Sequence, residues 1–194
     1  MKKKFLLISL FMTVLAGVGV SANTSVAEAS ESLLLDPTPY PVAKDSHWKY
    51  LDNGTSLDAE NWTELIYDNS TWAEGQGTLG YGDPVNTTIS YGPNPSNKYI
   101  TYYFSKDIEV DLANVSEFVE FGLKRDDGAI VYVNGVEVFR DNMPAEPTDY
   151  LTHSSTIIDG INENTYFTQQ LPKSIFVDGI NRISVEIHNR DGQS

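Results

Sequence analysis

Asp126, Asp127, Asp141 and Asn142 are the residues whose types and spacing come nearest to a metal site in this chain. Calcium takes about six to eight oxygen ligands, and these carboxylates and the amide meet if the ends of the intervening hairpin and its neighbouring loops converge. Their spacing is not that of an EF-hand. Asp126-Asp127-Gly128 reads equally well as a turn whose carboxylates accept from backbone amides, with Arg125 as a counter-charge. Other chemistry finds less to work with. His47, His153 and His188 are scattered singly, as ordinary surface or strand positions are. The sequence has no cysteine, which removes disulfides, thiolate metal sites and a cysteine nucleophile together. It also lacks a Gly-x-Ser-x-Gly elbow, a phosphate loop and a His-Glu-x-x-His helix. A pair of carboxylates can hydrolyse a glycoside, but 27 acidic residues in 194 are too many to single out two. No catalysis is expected from these residues alone.

A second candidate set is aromatic. From Asp68 to Asn97 the chain combines Trp72 and Tyr81 with Gly75, Gly77, Gly80, Gly82, Asp83, Pro84, Pro93 and Pro95. Glycine lets the backbone turn, so the rings must either pack or face solvent, and a loop of this length is commonly functional. Trp72 and Tyr81 close one end of the fold or form a ligand platform. With Arg125 and Asp126 they make the candidate ligand-binding set.

The elements that must position these residues are short strands. Asn134-Gly135 between two alternating apolar runs predicts a type I′ hairpin joining Ile130–Val133 to Val136–Phe139. Tyr99–Val110 and Phe118–Lys124 read as strands. In Ile180–Asn189, Ile183, Val185 and Ile187 alternate with Arg182, Ser184, Glu186 and His188, the pattern of a half-buried strand. Helix is confined to a turn or two at Asp58–Leu65 and at Pro172–Phe176, the latter opened by a proline. Many short strands without βαβ units predict an all-β antiparallel β-sandwich or jelly roll.

The first 29 residues read as an address. Lys2-Lys3-Lys4 precedes an apolar run from Phe5 to Val20, and Val20-Ser21-Ala22 and Ala27-Glu28-Ala29 offer small residues for cleavage. The run falls short of the roughly 20 residues that a spanning helix needs. Residues 1–29 are therefore expected to be a signal peptide, 30–46 a linker-like approach broken by Pro37, Pro39 and Pro41, and 47–194 one β-sandwich module. The net charge of −14 becomes more negative once the leader's lysines are lost. So acidic a surface repels phosphate backbones and excludes nucleic acid as a partner. It suits secretion, neutral ligands and cations, with no membrane partner after cleavage. Asn53-Gly54-Thr55 and Asn69-Ser70-Thr71 have the form of glycosylation triplets, but behind a bacterial-type leader they read as chance.

Several blocks together resemble a known family. Trp48-Lys49-Tyr50-Leu51-Asp52-Asn53-Gly54, Asp68–Gly75, Leu79–Asp83, Tyr102–Ile108, Arg125–Pro144 and Gly179–Asn189 are similar, in order, to the galactose-binding-like jelly-roll modules of large secreted bacterial proteins. A weaker similarity to sugar-binding domains of β-galactosidases rests on the neighbourhoods of Val133-Asn134-Gly135 and Gly179-Ile180-Asn181. The resemblance implies a non-catalytic accessory module that binds carbohydrate or a cell-wall polymer. It further implies neighbours such as calcineurin-like metallophosphoesterase or lamin-tail domains. The alternatives are the amino-terminal part of such a phosphoesterase, whose Gly-Asn-His and Gly-His-x-His patterns are not found here, and a structural spacer. The resembling modules continue into one more strand, so the chain is expected to lack its last strand and a C-terminal domain of the same protein.

Overall fold

The computed structural model describes residues 6–14, 42–82, 84–145, 147–158 and 160–193, and within 6–14 only the Met12 side chain. The cleavage motifs, the prolines of the approach, Asp83 and Ser194 lie outside the described residues. No helix among those residues is long and apolar enough to cross a membrane.

The chain folds as two sheets packed face to face. The strands, in chain order, are β1 (Leu6–Val14), β2 (His47–Leu51), β3 (Ala73–Gln76), β4 (Leu79–Tyr81), β5 (Thr87–Thr88), β6 (Thr101–Val110), β7 (Phe118–Lys124), β8 (Gly128–Val133), β9 (Val136–Asp141), β10 (Phe167–Pro172) and β11 (Gly179–His188). One sheet runs β3-β2-β6-β11-β8-β9 and the other β10-β7-β1-β4-β5. Apart from the short parallel β4–β5 contact the pairings are antiparallel, so the expected all-β antiparallel sandwich is the fold.

Alternation builds the core between the sheets. Tyr102, Phe104, Val131, Val185 and Ile187 from the six-stranded sheet meet Leu79, Val119, Phe121, Leu123 and Leu171 from the other. The hairpin forms as its sequence predicts: Asn134 and Gly135 sit at φ 50 and 84, the doubly positive conformation of a type I′ turn. Asn134 also closes the neighbouring strand, accepting from the Arg182 amide at 2.9 Å and donating to the Asn181 side chain at 2.8 Å. Of the two expected helical turns, Pro172 leads a 3-10 turn at Lys173–Ile175, whereas Asp58–Leu65 forms successive turns only.

One feature departs from the sequence reading. The polar face of β11 is not exposed, for Arg182, Ser184, Glu186 and His188 are all buried. Loop residues Leu57, Trp62 and Trp72 pack with Tyr103 as a second apolar cluster, with Tyr132 and Tyr150 against it. This lid covers the outer face of the sheet. Arg182 and Glu186 are paired internally, as desolvation favours, while the Ser184 hydroxyl and His188 Nε2 are buried without a hydrogen-bond partner. Arg182 donates to both Asp107 carboxylate oxygens at 2.7 and 2.9 Å and to the Glu64 and Tyr67 carbonyls at 2.9 and 2.7 Å. Tyr132 donates to Glu186 at 2.8 Å.

Strand β1 lies within the run read above as a leader. Residues assigned above to the apolar core of a leader form the central strand of the five-stranded sheet. They pair with β7 from Ser9↔Lys124 to Val14↔Val119 and with β4 from Leu6↔Tyr81 to Ile8↔Leu79. Met12 is 1% exposed, and its amide donates to the Val42 carbonyl at 3.0 Å.

Candidate functional site

The polar residues singled out from the sequence gather at one end of the sandwich, where β7 turns into β8 and β11 leaves the sheet. Both antiparallel neighbours of β11 reach this end, at Thr101 and Gly128 opposite His188. Asp127 is 1% exposed and ties two segments together, accepting from the Ile158 amide with one oxygen and the Arg190 amide with the other, each at 2.7 Å. Asn142, at φ 53, holds the 154–156 segment. Its Oδ1 accepts from the Thr156 amide and hydroxyl, and its Nδ2 donates to the Asp127 and Thr156 carbonyls. Arg125 is ion-paired with Asp141, its Nε donating at 2.7 Å, and its guanidinium lies 4.3 Å from the centre of the Phe167 ring.

The structure thus brings Arg125, Asp126, Asp127, Asp141 and Asn142 into one region and engages Asp127, Asp141 and Asn142 with protein donors. Among the described residues no group of three or more His, Cys, Asp or Glu is arranged to hold a metal ion. Asp127 and Asn142 tie loops together, and Asp141 pairs with Arg125.

Tyr81 belongs to the same end. Its hydroxyl accepts from Asn189 Nδ2 at 2.9 Å, while Asn189 also donates to the Tyr99 carbonyl at 2.7 Å. Burial, reinforced by the nearby Asp126 and Asp127 charges, pushes the phenol up to about 12. Trp72 is elsewhere, in the aromatic lid 6.2 Å from Trp62. Both rings are buried, Trp72 at 8% and Tyr81 at 4% exposure. Of the two roles considered for these rings, closing the fold or forming a platform, the burial matches the first: the 57–72 loop folds back on its sheet, and Tyr81 packs in the main core.

A ring that sequence reasoning did not name takes the exposed position. Tyr91 is 39% exposed and meets Tyr81 edge-on at 5.6 Å. Its carbonyl accepts from the Tyr99 amide at 3.2 Å, and the Lys98 ammonium lies 5.8 Å from the Tyr81 ring. The 86–98 segment is fastened by Asp52, which accepts from Ser90, and by an Asx turn in which Asn94 accepts from Ser96. Tyr91 stands within the Gly- and Pro-rich segment marked as functional, yet its sequence neighbours do not set it apart from Tyr81.

His188 is buried at the same end. Its Nδ1 lies 2.8 Å from the Thr152 carbonyl and 3.0 Å from the Thr101 hydroxyl, and its Nε2 lies 3.5 Å from Glu186. It is a strand position, as expected, on the buried face.

No family model and no curated protein matches this sequence. Solved structures with a similar arrangement include β-glucuronidase from Ruminococcus gnavus bound to D-glucuronic acid, at 13% identity and a TM-score of 0.43 over 75% of this chain and 21% of that one. A glycosyl hydrolase family 2 member from Bacteroides cellulosilyticus aligns at 15% identity and a TM-score of 0.45 over 75% of this chain and 17% of that one. The chain therefore spans about a fifth of the length of the structures it matches.

Proposed function

We propose that this chain is a non-catalytic accessory module of a secreted protein and binds carbohydrate or a cell-surface polymer at the end of the sandwich that carries Tyr91. The observation that supports this reading is a solvent-facing ring braced by a buried one. Tyr91 rests on Tyr81, which Asn189 anchors, so a sugar face stacking on Tyr91 meets a preorganised surface. Polar groups of the 94–98 segment flank it, the combination of one apolar wall and a few hydrogen-bonding groups that small-ligand sites use. The strongly negative net charge favours neutral over acidic glycans.

Pull-down of the full chain on insoluble neutral and acidic polysaccharides and on purified bacterial cell wall tests this. Tyr91→Ala should weaken retention by about three- to tenfold, the worth of an aromatic contact, and leave the near-ultraviolet dichroism of the tryptophans intact. Equal retention of both proteins removes Tyr91 from the site. No retention on any matrix supports the spacer reading.

A further inference from the structure

At the end of the sandwich where β6 finishes at Val110 and β11 begins at Gly179, the lid loop makes a tight turn over the sheet. The Tyr67 amide donates to the Glu64 carbonyl at 3.1 Å, so Leu65 and Ile66 occupy the two central positions. Turn corners are ordinarily given to Gly, Pro, Asn, Asp or Ser, which suit the backbone geometry and tolerate water. Here they carry two large aliphatic side chains, both exposed, with Ile66 at 86%. The turn is held from below. The buried Arg182 guanidinium donates to the carbonyls on either side of the pair, those of Glu64 and Tyr67.

Other apolar side chains extend this surface. Ile180 stands two residues before Arg182, hence on the same face of β11, and is exposed. The hairpin tip adjoins it, since a Cβ on Gly135 would stand 3.0 Å from Glu64 Cγ, and leads into exposed Val136. Asn181 binds both Asn134 and the Val177 amide, which brings exposed Val177 to the same end. Single exposed aliphatics are ordinary, but a group of them marks an interaction surface.

The rim is acidic. Glu64 opens the turn and Asp68 follows it, Glu109 lies directly across from Ile180 on β6, and Asp178 is next to Val177, all four exposed. Arg182, the cation beneath, is taken up by the Asp107 carboxylate. Two copies of this surface paired about a two-fold axis would set acidic rim against acidic rim, in a chain of net charge −14.

We propose that Leu65 and Ile66, with Ile180 beside them, form a docking surface for a second protein whose contact face is apolar at its centre and rimmed by lysine or arginine. The fixed turn presents the aliphatic pair with little ordering left to do on binding. Burial of that pair supplies the contact energy, and the acidic rim selects the partner and speeds encounter. The surface lies at the end of the sandwich away from Tyr91, so the inference is independent of the carbohydrate reading.

The test uses the full chain and synthetic amphipathic helical peptides of three compositions: leucine with lysine, leucine with glutamate, and serine with lysine. Affinities are measured by calorimetry at physiological ionic strength. The leucine/lysine peptide should bind at least about tenfold more tightly than either of the others, because it alone matches both centre and rim. Ile66→Ser combined with Ile180→Ser should weaken that binding by about tenfold or more, the worth of burying aliphatic surface. The melting temperature should hold, because both side chains are exposed. Glu64→Lys combined with Glu109→Lys should reverse the preference in favour of the leucine/glutamate peptide. Tyr91→Ala should leave every affinity unchanged. Absence of binding, equal affinity for the leucine/lysine and serine/lysine peptides, indifference to the serine pair, an unreversed preference, or a dimer of the free chain that Ile66→Ser dissociates would each overturn the proposal.

Discussion

The two sheets are centred on strands of opposite kinds. Strand β11 lies between β6 and β8, is buried on both faces, and carries polar side chains whose partners come from several distant segments. Strand β1 lies between β7 and β4 and is joined to the rest of the described chain by backbone pairing and by Met12 in the core. The first sheet is specified by side-chain pairings that only one strand satisfies. The second is held at its centre by main-chain pairing to β7 and β4 and by the buried Met12.

The largest blow to that comparison should fall on β11. Replacing Arg182 with alanine leaves the Glu64 and Tyr67 carbonyls without their donor under the aromatic lid and should cost about 3 kcal/mol, read by chemical denaturation. Met12→Ala should cost about 2 kcal/mol, the low end for a buried methionine. Its effect should be local: hydrogen exchange should quicken in β1 and on the facing edge of β7 while β11 keeps its protection. Global loss of protection would show that the two sheets are equally committed. Gly135→Val should cost roughly 1 to 2 kcal/mol, since a β-branched residue resists positive φ and its Cβ would stand 3.0 Å from Glu64 Cγ. An unchanged melting temperature would argue against the turn.

A pH titration examines the joint between the sheets. The Tyr81 phenol is raised from 10.0 to about 12 by burial. The unfolded chain therefore releases this proton first as pH rises, so the stability is fully present below about pH 10 and is lost between there and about pH 12. At about pH 11 the Tyr81 share of the loss should be on the order of 1 kcal/mol, and Tyr81→Phe should remove that share while the losses from Tyr102, Tyr103 and Tyr132, whose phenols burial also raises, remain. The smallest effect expected is that of calcium. Because Asp127, Asp141 and Asn142 already accept from protein donors, millimolar calcium should shift the melting temperature no more than matched ionic strength does. A chelator-reversible rise would show that a metal replaces those ties.

How much of this could be read from residues alone follows the range of the interactions. Hairpin, turn and strand identities were legible because they depend on neighbours: Asn134-Gly135 formed its turn, and Phe118–Lys124 is a strand with the expected bounds. The burial of Arg182, Glu186 and His188 was not legible, because their cover comes from segments far earlier in the chain, such as Leu57, Trp62 and Trp72. For Trp72 and Tyr81 both packing and projection stayed open, since an aromatic in a Gly-rich loop has the same local sequence whether it packs or projects. Strand β1 exposes a deeper ambiguity. A continuous apolar run suits a leader and a strand covered on both faces equally well, and periodicity alone has no means of separating them.

Asp127 carries a kinetic consequence. One carboxylate restrains both the 158 amide and the 190 amide, and these belong to segments that do not otherwise share a strand. Releasing that group frees both at once, so the two amides should exchange with deuterium at a common rate, as members of one cooperative opening unit. The end of the sandwich would then breathe as a single door rather than as separate loops.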